Sequence, residues 1–466
     1  MDWQKLLSST RSNTDQMLHN VTKRNQRSPF SVDIDRIIFS TSFRKLQDKT
    51  QVYPLATSNK VRTRLTHTLE VSSVGKTLGH IIGKHIIQNH SNTHHIVNVN
   101  GYHLSSHDIS YIVQAACLAH DIGNPPFGHR GEEAFINFYK NSLHDSTRQS
   151  LSNTEYYDLI NFDGNTQGFR TLTNIGGWEE AGGYKLTYAT LGAFCKYPRS
   201  SSTNDEKQIE SSKKYKKTGI FKSELEQFNS IAEQLGLIKI MPNVFARHPL
   251  VFLVEAADDI CYSVVDVEDS YHQGLTSFKF VEDRIAPIAR HPNKYEGDSR
   301  KRTQDLKKQS WYADMPNNQK IEFLRGKAIN NMIDEAAKVF INHEEDILNG
   351  AYDKNLLEDT PFSNNVLKCK NDIKKQVFES QYKLQQEISG TVAINSLLEY
   401  FNNIITYPNH LYSTMLNQNF FNNKISTSNS AYQNILLIND YIASLSDRQL
   451  LKIHKMITGL GQDTSI

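Results

Sequence analysis

With 466 residues, 38% of them hydrophobic and 22% charged, the chain is long enough to bury one large core or several and has the composition of a globular protein. Its 52 basic residues nearly cancel its 50 acidic ones, which excludes attraction to nucleic acid or an anionic membrane through a global field and leaves only local anion sites. Cys117, Cys195, Cys261 and Cys369 lie far apart without a CxxC pair, so neither a zinc knuckle nor a disulfide framework is indicated, and a reducing compartment is expected.

In chain order, the opening Met1-Asp2-Trp3-Gln4-Lys5-Leu6-Leu7-Ser8 has no long apolar run, and no later stretch approaches the roughly 20 residues a membrane helix needs, so a cytoplasmic protein without membrane contact is expected. Leu65, Leu69, Val74, Leu78 and Ile81-Ile82 recur at helical steps, and His67 lies among them. Residues 88–107 read as a polar loop carrying His90, His94, His95, His103 and His107. Ile109, Ile112, Val113 and Ala116 then mark a second apolar helix that ends in His120-Asp121.

Residues 198–218, polar and ending in Lys213-Lys214-Tyr215-Lys216-Lys217, read as a mobile insertion. Short strands are expected at Ile96-Val97-Asn98-Val99 and at Leu237-Ile238-Lys239-Ile240. Leu250, Val254, Ala257, Cys261 and Val265 form a third helical face, and Phe323 to Phe340 a fourth. The fold class is therefore mostly α with minor β elements. A core over 1–280 with the two insertions and a C-terminal helical region over 281–466 packed on it is the expected organisation.

His67, His120, Asp121 and Asp258 stand out on these helices. An HD dipeptide alone is weak, because a helix-terminal Asp is often only a cap. Asp258, however, sits mid-helix between Ala257 and Ile260, where an unpaired carboxylate is costly to bury. Two imidazoles and two carboxylates form a mixed nitrogen and oxygen set that suits one divalent ion, Mn²⁺, Mg²⁺, Fe²⁺ or Zn²⁺, without choosing sharply among them. A cation accepting six ligands would keep about two positions for water and a phosphate oxygen, which opens hydrolysis.

The chain resembles the HD-domain deoxynucleoside triphosphate triphosphohydrolases, and the bacterial deoxyguanosine triphosphate enzymes among them in particular. The resemblance rests on Arg27-Ser28-Pro29-Phe30, on Arg44-Lys45-Leu46-Gln47-Asp48-Lys49-Thr50-Gln51-Val52-Tyr53-Pro54-Leu55, and on Val61-Arg62-Thr63-Arg64-Leu65-Thr66-His67-Thr68-Leu69-Glu70-Val71. It continues in His120-Asp121-Ile122-Gly123-Asn124-Pro125-Pro126-Phe127-Gly128-His129 and Glu255-Ala256-Ala257-Asp258-Asp259-Ile260-Cys261-Tyr262. It is strong over residues 25–275. Beyond them it is carried by Asp440-Tyr441-Ile442-Ala443-Ser444-Leu445-Ser446-Asp447, where the family usually has Gly-Met in place of Ser444-Leu445.

The resemblance implies an α-helical HD-domain core with further helices around it, a homo-oligomer that is often a hexamer, and His67, His120, Asp121 and Asp258 as metal ligands. It implies metal-dependent hydrolysis of a deoxynucleoside triphosphate, dGTP foremost, to deoxynucleoside and inorganic triphosphate. It places a catalytic histidine and its acidic partner at His129 and Glu132, three residues apart on one helical face, with the order of base and acid open. Arg64, Lys196 and Lys217 are implied phosphate contacts, with Lys216 an alternative to Lys217. Gln51 and Asp266 are expected to meet the sugar 3′-hydroxyl, and Tyr262 to pack under the deoxyribose. A phosphomonoesterase or phosphodiesterase using the same metal logic, or a non-catalytic sensor of nucleotides or single-stranded nucleic acid, is the alternative. Some relatives respond to single-stranded DNA, so an effector of that kind, or a nucleotide, is a further expected partner.

Overall fold

The structure is a computed structural model, and it describes residues 1–11, 27–51, 62–90, 103–176, 183–201, 217–290, 310–378 and 381–459. It is mostly α, as the periodicity predicts, and its one sheet among the described residues pairs Lys239–Met241 with Val244–Phe245 in antiparallel register. The expected strand at 237–240 is thus displaced by two residues. Leu237 is instead buried in the core, and Ile240 is exposed. The strand expected at 96–99 lies outside the described residues.

Two long helices, α1 (Arg64–Asn89) and α2 (Ser106–Ala119), form the heart of the molecule. Thr63 and Thr66 close a capping box that starts α1, and Ser105 and Asp108 close another that starts α2, so each helix begins where a side-chain oxygen can take its first free N–H groups. The pair packs unusually tightly because α1 presents glycine every fourth residue to α2. A Cβ at Gly75 would lie 2.4 Å from Cys117 Sγ, and one at Gly83 2.7 Å from the Ser106 carbonyl oxygen. That close approach carries His67 and His120 to a ring separation of 5.4 Å.

Helix α3 (Gly128–Asn141) follows the His120–Asp121 turn, and α4 (Gly164–Arg170) crosses behind that turn. Helix α5 (Val251–His272) lies against both α1 and α2, and α6 (Phe278–Ala289) and α7 (Asn317–Asn342) pack on the outer side of this group. Phe340, at the end of the apolar face expected from Phe323, is fully buried. A second apolar cluster joins Phe135, Phe138 and Leu159 to α8 (Gln381–Thr406), α9 (Ala431–Ala443) and α10 (Asp447–Thr458). Burying apolar side chains such as these contributes about 1.5–3 kcal/mol each relative to leaving them in water.

Three expectations need correction. Leu69 belongs to the helix but not to its buried face: it is 47% exposed, because the inward stripe runs through Val71, Val74, Gly75, Leu78 and Ile82. The ends of the 198–218 segment are built into the fold: Ser200 is fully buried and bridges to Ile220, and Ser201 and Thr218 are buried as well. Residues 202–216, including Lys216, lie outside the described residues. Within 88–107, His107 belongs to α2 and faces His80 at 4.8 Å between ring centroids, and His90 caps α1 and bonds Glu344 at 2.9 Å. His94 and His95 lie outside the described residues.

Candidate metal and catalytic site

Three helices bring His67, His120 and Asp258 together. His67 projects from the first turn of α1, His120 caps the C-terminal end of α2, and Asp258 stands in the middle of α5. Each offers a ligand atom, and the three atoms lie within 4.8 Å of one another. His67 Nε2 is 3.1 Å from Asp258 Oδ1, and His120 Nε2 is 3.9 Å from the same oxygen. Asp121, the fourth expected member, brings Oδ2 to 3.7 Å from His120 Nε2. Bond lengths near 2.1 Å would hold neighbouring ligand atoms about 3–3.5 Å apart, so a cation fits once the wider of these separations contract.

The donors are prepared for such a role. His120 donates its Nδ1 proton to the Cys117 carbonyl at 2.7 Å, which fixes the ring and leaves Nε2 as the lone-pair nitrogen facing the cluster. Asp121 Oδ1 accepts hydrogen bonds from Arg64 Nη1 and Asn124 Nδ2, each at 2.7 Å, while its Oδ2 is buried with no hydrogen-bond partner among the described residues. An orphaned buried carboxylate oxygen is costly unless a cation meets it. Burial raises the Asp258 pKa, but the His67 hydrogen bond and the charges of His120 and Lys196 outweigh it and hold that carboxyl far below the usual range. For Asp121, Arg64 and the two histidines likewise overcome the burial that raises it.

The turn after Asp121 delivers a second group of side chains. Gly123 has φ +103, Phe127 has φ 60, and Gly128 opens α3 with φ +54. A Cβ at Gly128 would stand 2.7 Å from Arg64 Nη2 and would be strained at this positive φ. At the second residue of α3, His129 Nδ1 donates to Glu132 Oε2 at 2.7 Å. Glu132 is buried and held in place by its other oxygen, which accepts the Gly164 N–H at 2.7 Å. The imidazole itself is 84% exposed, and the Glu132 hydrogen bond raises its pKa above the ordinary histidine value despite the opposing effects of desolvation and of Lys217 and Arg64.

Cationic groups flank this pair, each with a carboxylate partner. Lys217 donates to Asp163 Oδ2 at 2.7 Å, and Lys196 stands 3.4 Å from Glu255 Oε1. Burial lowers the Lys196 pKa, but Glu255 and Asp258 reverse the shift and hold it well above the usual lysine range. Arg64 is bound to Asp121, which makes it a positioning group for that carboxylate in addition to any anion contact. Tyr262 and Asp266 follow Asp258 along α5, and Gln51 lies at the edge of the described segment before α1. Gln51 Oε1 and Asp266 Oδ2 are both buried and without a partner among the described residues. Desolvation pushes the Asp266 pKa up to about 6.

Sequence reasoning missed several residues that hold this region. Asp447, buried at the start of α10, accepts the Phe127 N–H and the Thr50 N–H, each at 3.0 Å, and the Thr50 hydroxyl. Lys49 donates to the Asn124 and Ala443 carbonyls at 2.6 and 2.7 Å. On α8, Glu387 accepts from Arg130 Nε at 3.2 Å, and buried Lys383 lies one turn before it within electrostatic range of Asp266. Only Ser446, the cap of α10, marks the place of Asp447 as a helix start; the distant partners of Asp447 leave no local signal.

No family model matches the chain. It is 37% identical over 471 residues to a deoxyguanosinetriphosphate triphosphohydrolase-like protein of Synechocystis, covering 99% of this chain and 100% of that one. A protein of the same description from Pseudomonas aeruginosa is 33% identical, over 98% of this chain and 99% of its own. A deoxyguanosinetriphosphate triphosphohydrolase of Klebsiella pneumoniae is 30% identical, over 82% of this chain and 78% of its own.

Proposed function

The chain belongs to the deoxyguanosinetriphosphate triphosphohydrolase-like family, and on that premise we propose that it hydrolyses a deoxynucleoside triphosphate, dGTP foremost, to deoxynucleoside and inorganic triphosphate with one divalent ion per site. The observation that carries the reading is the meeting of His67, His120 and Asp258 from three separate helices, with Asp121 beside them. These four would hold the ion, and Mn²⁺ or Mg²⁺ suits their nitrogen and oxygen donors. When bound, it supplies Lewis-acid polarisation of a phosphoryl oxygen and a water of lowered pKa.

The chain's own groups supply the rest. Lys217 and Lys196 bring positive charge to the polyphosphate, exchanging part of their hold on Asp163 and Glu255 for phosphate oxygens. His129, exposed and oriented by Glu132, carries a proton to or from the reacting oxygens, and Glu132 stabilises its charged form. Cleavage at the α-phosphorus expels the sugar 5′ oxygen, a poor leaving group until protonated. The unpartnered oxygens of Gln51 and Asp266 suit a donor such as a sugar 3′-hydroxyl. Tyr262, one turn before Asp266, offers an aromatic face against the sugar that crowds a 2′-hydroxyl.

Incubating the protein with each dNTP and rNTP plus Mn²⁺ or Mg²⁺ and separating the products tests the reading. Triphosphate together with deoxynucleoside is expected. Pyrophosphate with monophosphate, or orthophosphate released from a monophosphate, overturns it.

A further inference from the structure

A small pocket lies behind the His120–Asp121 turn and is lined by none of the candidate metal-, phosphate- or sugar-contacting residues. Gly123 of the turn, Gln167 of α4, Asp440 of α9, Ser444 just beyond it, and Lys45 and Lys49 are among the residues that line it. Lys49 is 4% exposed, and the partners of its ammonium are the Asn124 and Ala443 carbonyls. Lys45, half-buried, donates to Ser444 Oγ at 3.2 Å. Neither lysine has a carboxylate at ion-pair distance among the described residues. Asp440 cannot serve them, because Arg170 holds it through Nε and Nη2 at 2.9 Å each and Gln167 Nε2 holds it at 2.8 Å.

The same contacts expose a second deficit. Gln167 is 2% exposed, and with Nε2 committed to Asp440 its Oε1 is the remaining atom, buried with no partner among the described residues. The pocket therefore combines two lysines without an ion-paired carboxylate among the described residues with one acceptor lacking a donor. An ionised carboxylate or a sulfate answers the first need but brings no proton for the second. Hydrogenphosphate answers both.

We propose that this pocket binds a hydrogenphosphate group between Lys45 and Lys49, with its P–OH donated to Gln167 Oε1. Burial depresses both ammonium groups, and for Lys49 burial with the nearby Arg64 and Lys45 charges outweighs Asp447 and Asp121 and brings it down to about 7. Because Lys49 also grips the carbonyl of Asn124, three residues after Asp121, occupancy bears on the turn that carries His120 and Asp121. The inference does not depend on the reaction proposed above.

Equilibrium dialysis of the full chain with radiolabelled orthophosphate tests it. A bound equivalent is expected that survives Lys217→Ala, which weakens only the candidate site, and that Lys45→Gln weakens by about tenfold or more. On the unaltered protein, sulfate is expected to displace that equivalent poorly. A phosphate monoester that displaces it identifies the source as a terminal phosphate, and one that does not identifies free orthophosphate. Unchanged affinity in Lys45→Gln, equal competition by sulfate, or complete loss of bound phosphate in Lys217→Ala overturns the proposal.

Discussion

His67 and Asp258, 191 residues apart in sequence, meet at 3.1 Å between Nε2 and Oδ1. Neither helix requires the contact. It exists because the glycines of α1 let α2 approach closely and α5 lies across both, so the helix packing that builds the core also collects the ionisable groups. Burial alone would lower the His67 pKa, but Asp258 reverses the shift and leaves it raised. Gathered polar groups of this kind repel hydrophobic packing unless a charge they share repays their desolvation.

Replacing Gly128 by Ala should loosen Asp121. The added Cβ would stand 2.7 Å from Arg64 Nη2 in a backbone with φ +54, and the guanidinium must retreat from the carboxylate it holds. A stability loss of about 1–2 kcal/mol is expected from the strained backbone. Metal affinity should fall as well. Denaturant titration and a metal-binding isotherm on Gly128→Ala measure the two effects, and wild-type values in both would refute the coupling.

The pairing of His129 with Glu132 should give a pH-dependent part of stability. The folded pKa of His129 is raised, so the folded state binds the proton more tightly than the unfolded one. Its contribution is complete below the ordinary histidine pKa and is lost as pH rises through the raised value. Comparing unfolding midpoints of the wild type and His129→Gln from about pH 5 to about pH 9 should show the wild-type advantage shrinking with pH. A constant difference would contradict the assignment.

Asp447 should matter to both stability and turnover. Its carboxylate takes two backbone N–H groups and one hydroxyl, linking Thr50, next to Gln51, to Phe127, two residues before His129. Asp447→Ala leaves those donors buried without a partner, at a cost of about 2–4 kcal/mol. Asp447→Asn retains one acceptor and should lose less. Midpoints of urea unfolding for the two variants decide the order, and an alanine variant as stable as the wild type would be inconsistent with the contacts.

Lys217→Ala should weaken substrate binding and leave the metal in place. The lysine touches Asp163 and none of the four metal-facing residues, so its removal takes away positive charge and the Asp163 ion pair without touching a metal-facing group. Losing one charge-assisted contact to phosphate corresponds to a rise in KM of about tenfold or more. Steady-state kinetics at saturating Mn²⁺ measure this. Equal KM values would place the phosphates elsewhere.

What the sequence disclosed, and what it hid, follows from the range of each interaction. Helical periodicity located α1, α2, α5 and α7, because burial of one face repeats locally. The His120-Asp121 pair and the mid-helix Asp258 stood out as polar residues on apolar faces. The His129–Glu132 contact was legible because helix geometry alone brings residues three apart together. Leu69 misled because spacing does not reveal how wide the buried stripe is. The contacts of Asp447 and Lys49 had no local signal, since their partners lie about 75–400 positions away and their meaning comes from the packing of the two core clusters. Lys217 pairs with Asp163 because both flank α4, which charge content alone does not show.

The most direct test of the account is a metal count. After loading with Mn²⁺ and removal of free ion, elemental analysis should find about one ion per wild-type chain and essentially none in folded His120→Ala, which removes one of the four converging donors. Folding of the variant is checked by circular dichroism. A wild-type chain that holds no ion under any loading condition, or a folded His120→Ala chain that holds a full equivalent, would contradict the central claim.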